Sequence, residues 1–447
     1  MYKMVRRLPR VPVTGVLVAL AFAFLPACYK APASSGSGTT TPGGLPPSGL
    51  RFRAFVSQTI SSSIASPGLN IVDATLDKLA RVPGVTAGNA PGLMAVPSNK
   101  QVTLVFDSSN NSINVVNNHS ESSNGSIGLP GPTESMALPS DGTVAFAAVH
   151  DAPIAGKPVG AVEMLNVSRG SLDTPISVPG VRFVVLSPDG THLLAFSDNQ
   201  NLVTIITLSN IGTATAPQWI LVGDPNAPPQ LTDPSLDHPL WAVFTSDSSK
   251  AFILSCGPEC GGTAAALSVL DFSGATPAIT STLSLPSATY GVLSGSTLYV
   301  AGTAPTPPGG NTCAPSSTAA TSCGQLSVVD ISTLTVSKTL VITDGMHDRM
   351  AVTDDNQVYV GARGCTNVNS STEQRGCLSI FAPATGKVII GTDPGDVTAI
   401  QSITGRPRVY VVENGELRIW DTTTDTLLTP DKQVNILGQA VDVKLPD

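Results

Sequence analysis

Residues 298–302 read LYVAG and residues 326–331 read LSVVDI, and the second block runs straight on into STLTVSKTLVI at 332–342. Each block is five or six β-branched, aliphatic or aromatic residues, the second ending in an acid and turn formers. Blocks this short, without a 3.6-residue spacing, read as strands buried on both faces rather than as helix.

Both blocks recur. The second reappears as LNIVDA at 69–74, INVVNN at 113–118, VEMLNV at 162–167, VTIITL at 203–208, LSVLDF at 267–272, LSIFAP at 378–383 and LRIWDT at 417–422. Successive starts lie 39 to 64 residues apart. The first reappears upstream of each: RAFVS at 53–57, VTLVFD at 102–107, VAFAAV at 144–149, LLAFSD at 193–198, AFILSC at 251–256, VYVGA at 358–362 and VYVVE at 409–413. Repeats of this length made of short strands predict an all-β propeller of eight four-stranded blades, or of seven if one irregular unit is an insertion. The two blocks are then strands B and C of each blade. Strand A precedes B across turns such as Pro139-Ser140-Asp141-Gly142 and Ser187-Pro188-Asp189-Gly190. Seven A strands lie in order. The first blade lacks one, and AVDVK at 440–444 is left over at the other end. Pairing that segment beside 53–57 closes the ring and hides both sheet edges.

The pattern RAFVS, then LNIVDATLDKLARV, and later LYVAG with LSVVDISTLTVSKTLVI, resembles the YVTN-type β-propeller repeat, a relative of the WD40, NHL and lactonase-type propellers. The resemblance spans 51–445 and implies the fold, not an activity. Trp420-Asp421 is a WD pair, but the Gly-His partner motif of WD40 repeats is absent.

Lys3, Arg6, Arg7 and Arg10 precede or open an apolar run at 11–25, too short to span a bilayer comfortably, which reads as an export signal. The run ends in Leu25-Pro26-Ala27-Cys28, which resembles the lipobox of bacterial lipoproteins and implies lipidation of Cys28. Pro26 departs from the usual small residue, so cleavage further on, for example after Ala33, and a buried N-terminal helix stay open. The domains expected are the signal at 1–28, a Gly/Ser/Pro/Thr-rich disordered tether at 29–50 with a span of about 25 Å, and the propeller at 51–447. Location at a bacterial membrane, facing periplasm or cell surface, follows from the signal.

Without the four basic signal residues, 20 of the 24 Lys and Arg face 32 Asp and Glu, a net charge of about −12. An acidic surface with no basic stripe repels phosphate backbones, so nucleic acid is excluded as a partner. Besides Cys28, six cysteines form three local pairs: Cys256 with Cys260, Cys313 with Cys323 and Cys365 with Cys377. Export favours disulfides. Zinc is the rival, against which stand spacings that do not share the short knuckle of structural sites. All three pairs fall between strands B and C, on the face where D-to-A connections also emerge.

At the mouth of the channel on that face the repeat places Glu134, Arg182, His238, Tyr290, His347, Asp348, Arg349 and Asp396 as ligand-binding candidates. Charge is sparse elsewhere, at 13% of residues, so its recurrence at equivalent positions points to a pocket. A solvated funnel of paired charges is the plain alternative. His347 can act as a base or metal ligand, and strand alternation puts His347 and Arg349 on one face with Asp348 on the other. There is no HExxH, P-loop, G-x-S-x-G or C-x-x-C-H, and no metal or cofactor is expected. The leading expectation is a monomeric binding scaffold presenting its loop-rich face to an envelope protein, peptide or small ligand. The alternative is a lactonase-like hydrolase at the channel mouth.

Overall fold

The computed structural model describes residues 44–59, 68–304, 323–369, 374–428, 434, 436 and 438–447. The export signal, Cys28, the tether up to 43 and Cys313 lie outside them.

Eight antiparallel sheets form eight blades in chain order, each built from strands A to D. The inner A strands are Gln439–Lys444, Pro91–Ala95, Thr133–Ala137, Val181–Leu186, Pro239–Phe244, Tyr290–Ser294, Met346–Val352 and Val397–Ser402, for blades 1 to 8. Each packs against the next, and that of blade 8 packs against that of blade 1. The ring is closed.

Burial explains the sequence blocks. Strand B of blade 3, Val144–Val149, is buried at every position because neighbouring blades cover both its faces. The outer strand of blade 5, Ala278–Ser284, is exposed or half-buried throughout and reads AITSTLS. Apolar residues therefore run uninterrupted inside and give way to Ser and Thr at the rim. Turn chemistry explains the acid at the end of strand C. Asp271, Asp330 and Asp421 each accept the backbone N–H of the residue two ahead, at 2.7, 2.8 and 2.9 Å, and that residue's hydroxyl as well. The carboxylate thus holds the turn into strand D.

Closure is made by the C-terminal strand. Val56 faces Val443, Ser57 faces Asp442 and Phe55 faces Lys444. Val56 and Val443 are fully buried in one apolar cluster with Tyr410 and Val412 of blade 8. Arg53, 3% exposed, locks the seam through ion pairs to Asp447 and Glu121.

The bridges Cys256–Cys260 and Cys365–Cys377 are formed, each between strands B and C of its blade. Cys323 opens strand C of blade 6, Cys323–Asp330; its expected bond to Cys313 lies outside the described residues.

Candidate functional site

Every inner strand except that of blade 6 steps register against its strand B. The step crosses Glu134 in blade 3, Arg182 in blade 4, Leu240 in blade 5, Asp348 in blade 7 and Thr398 in blade 8. Blade 2 steps across Gly92 and Leu93, and blade 1 across Val441. An extra residue in one strand of a pair re-aims its side chain and tightens the local twist. Of the residues at these steps, Leu93, Glu134, Arg182, Leu240 and Asp348 line the cavities at the channel mouth, and the strict alternation expected for 347–349 does not hold. Asp348 is the bulged residue, and it lines the same cavity as Arg349.

Two chambers follow one another down the axis. The inner one, about 400 Å³, is walled by the A strands. The outer one, about 640 Å³, is lined by residues of blades 4 to 7 and bordered by Cys256 and Cys260. Phe183, Leu240, Thr289 and Met346 line both, so they form a shared, mainly apolar boundary between the outer chamber, or vestibule, and the channel.

The sequence candidates divide between the chambers. Glu134, Tyr290, His347, Asp348 and Arg349 line the inner one. Arg182 and His238 line the outer one. Asp396 lies in neither and accepts the Gly364 N–H at 2.7 Å.

Most of the charges are paired. Arg182 bonds Glu134 at 2.9 Å and reaches Asp198 at 3.5 Å. Asp348, 5% exposed, lies between Arg349 and Arg363. Burial raises its carboxyl above the usual range, opposed by the two guanidinium groups. Arg349 is fixed by donating from Nε to the Thr398 carbonyl at 2.7 Å and from a terminal nitrogen to its neighbour's carbonyl at 2.7 Å. Trp241, which the sequence reading did not single out, packs against Tyr290 with the rings tilted by 31° and their centroids 4.6 Å apart. Further down, Asp442 accepts the Met94 N–H at 2.7 Å and pairs with Lys444 at 3.2 Å.

His347 does not present a free imidazole. It is 1% exposed, its Nε2 lies 3.0 Å from the Thr343 carbonyl oxygen, and burial holds it down at about 4. Such a group is neutral and walled in, unsuited to proton transfer in the channel. Among the described residues no three of His, Cys, Asp and Glu come together to hold a metal ion.

The vestibule contains a carboxylate that the sequence reading missed. Glu259 sits in the turn Gly257–Cys260, closed by the Cys256–Cys260 bridge. Asp237 anchors the loop by accepting the Thr263 and Ala264 N–H groups at 2.6 and 2.8 Å. Gly262 is required there, because a Cβ would lie 2.0 Å from the Asp237 carboxylate. Glu259 Oε2 accepts the Thr303 N–H at 2.7 Å, and burial pushes its carboxyl up to about 7 against that bond. The only sequence signal was an acid between two cysteines in a loop of the expected face.

No family model matches this chain, and no curated protein does. Solved structures are similar in fold. A dihydro-heme d1 dehydrogenase, NirN, in complex with DHE superposes with a TM-score of 0.58 and 11% identity, over 90% of this chain and 78% of that one. A functionally unknown protein from Desulfotomaculum acetoxidans gives 0.50 and 11%, over 88% and 98%. The periplasmic gluconolactonase of Pseudomonas aeruginosa gives 0.45 and 16%, over 88% and 98%. At these identities the likeness is one of fold alone.

Proposed function

We propose that this chain is an exported propeller of the YVTN-repeat kind, held at a bacterial membrane through Cys28, that binds a small organic ligand in its axial funnel. The observation that carries the reading is that two adjoining chambers share the lining residues Phe183, Leu240, Thr289 and Met346. A concave, partly apolar cavity with a few fixed polar groups is what small-ligand sites share. The disulfide-braced loops suit the same purpose, since a rim already ordered loses less entropy on binding. Export and anchoring rest on the basic N-terminus, the apolar run and Leu25-Pro26-Ala27-Cys28.

The test is occupancy. Protein isolated from an envelope fraction, measured by native mass spectrometry, is expected to carry a small molecule that unfolding releases. Met346→Trp, which puts a larger side chain at the boundary of both chambers, is expected to lower occupancy at least tenfold. Equal occupancy in the two proteins, or none in either, refutes the reading.

A hydrolytic reading has one observation in its favour, the near-neutral Glu259 carboxyl bordering the vestibule, which suits general acid–base work. It moves the reacting group away from His347 and Glu134. Lactone hydrolysis that survives Glu259→Gln unchanged removes it.

A further inference from the structure

Glu259 is the vestibule acid with the least compensation. Of the other two acids lining that chamber, Asp198 lies 3.5 Å from Arg182 and 3.8 Å from His150. Asp344 accepts the Thr366 N–H at 2.9 Å and its hydroxyl at 2.6 Å. Glu259 has one neutral donor, Thr303 N–H, on Oε2, and no ion pair among the described residues. Among the described residues, the titratable groups facing the chamber from the surrounding blades are Arg182, shared between Glu134 and Asp198, Asp198 itself, His238 bonded to Asp237 at 2.7 Å, and Asp344. None supplies a cation to Glu259.

Glu259 is half-buried, and a carboxylate partly taken out of water without a counter-charge carries a cost that a cation brought beside it offsets. A bare divalent ion does not fit, because such ions need several oxygen ligands and no three metal-holding groups converge among the described residues. The cation must bring its own body. The chamber floor supplies the surface for one, since Phe183, Leu240 and Met346 lie at its base and the volume is about 640 Å³.

Building on the funnel as the ligand site, we propose that the vestibule binds organic primary amines, the ammonium set against Glu259 and the apolar body on Phe183, Leu240 and Met346. The loop is built to keep the carboxylate in place. Gly257 adopts φ 52°, and a Cβ there would lie 2.3 Å from the Ala264 backbone, so the turn packs closely against the far limb of its own loop. An ammonium beside Glu259 stabilises the ionised form. Amine binding near pH 7 therefore drives a proton from the carboxyl into the buffer.

The test is calorimetric titration of the full chain at pH 7 with phenethylamine, 2-phenylethanol and phenylacetate, in two buffers of different ionisation enthalpy. The amine is expected to bind at least tenfold tighter than the alcohol, to exclude the carboxylate, and to release protons. Glu259→Gln is expected to bring the amine to the alcohol's affinity and abolish the release, while Met346→Trp weakens amine and alcohol alike. Equal binding of amine and alcohol by the unaltered protein, or an amine preference that survives Glu259→Gln, overturns the amine assignment and leaves the funnel standing. Binding of none of the three probes overturns the amine assignment too, and the envelope occupancy measurement then decides the funnel separately.

Discussion

Closure of the ring by the C-terminal strand can be tested at one pair of side chains. Val443 and Val56 are both fully buried, face each other in register, and are 387 positions apart in the chain. Replacing valine by alanine removes two methyl groups, which at about 0.8 kcal/mol per buried carbon is roughly 1.6 kcal/mol of lost transfer energy. The void left in a cluster shared with Tyr410 and Val412 adds about 1 kcal/mol, giving roughly 2 to 3 kcal/mol for either substitution. Directly opposed side chains on a strand pair touch, so the double variant should lose less than the sum by about 0.5 to 1 kcal/mol. Val441→Ala, at the register step and only half-buried, should cost less than half as much. Urea unfolding followed by tryptophan fluorescence and far-UV circular dichroism measures all four. A loss below about 0.5 kcal/mol for Val443→Ala, or strict additivity with Val56→Ala, would mean that the tail does not complete blade 1.

Two further outcomes are expected. Burial, helped by the charge of Asp393 and opposed by Arg418, pushes Glu413 from its ordinary 4.5 up to about 8. Between those values the folded chain keeps a proton that the unfolded chain has released, so stability is greatest at the acid end and falls as pH rises through the window. Glu413→Gln should accordingly gain on the unaltered protein between pH 5 and pH 8 in urea midpoint; a constant difference would show that burial does not set this group. Replacing Cys365 and Cys377 together by Ser opens a loop of sequence separation 12 and should cost about 2 to 3 kcal/mol. The same change should speed cleavage within that loop in limited proteolysis; unchanged stability and cleavage would end the view that the bridge braces the rim.

The fold was legible because its physics is local and repeated. Strands covered on both faces must be apolar at every position, so VAFAAV and LSVVDI stand out without any knowledge of neighbours. The acid that ends strand C is legible for the same reason, since Asp330 bonds a residue only two positions away. Even closure could be inferred, because a missing inner strand at one end and a spare one at the other is a count, although the register is geometry: Val443 meets Val56, and Phe55 meets Lys444.

The site was legible in position but not in arrangement, and the register steps are the reason. A side chain is assigned to a face by counting alternation, and one extra residue in the inner strand reverses the count beyond it. The same steps decide what the channel mouth can do. Glu134 and Arg182, each the bulged residue of its strand, meet across blades 3 and 4. Arg349 holds the Thr398 carbonyl, and the Thr398 hydroxyl donates to the Val441 carbonyl at 2.7 Å. Groups that looked like a convergent set of reactive side chains are thus largely used in joining one blade to the next, and their charges cancel where they meet. What the sequence could not reveal is which carboxylate escapes that pairing. Glu259 is the least satisfied of them, because it comes from a bridged loop above the inner strands and meets the next blade only through the neutral Thr303 N–H. Specific chemistry on this scaffold is therefore to be sought in the loops between strands B and C, while the inner strands supply a neutral, closed wall.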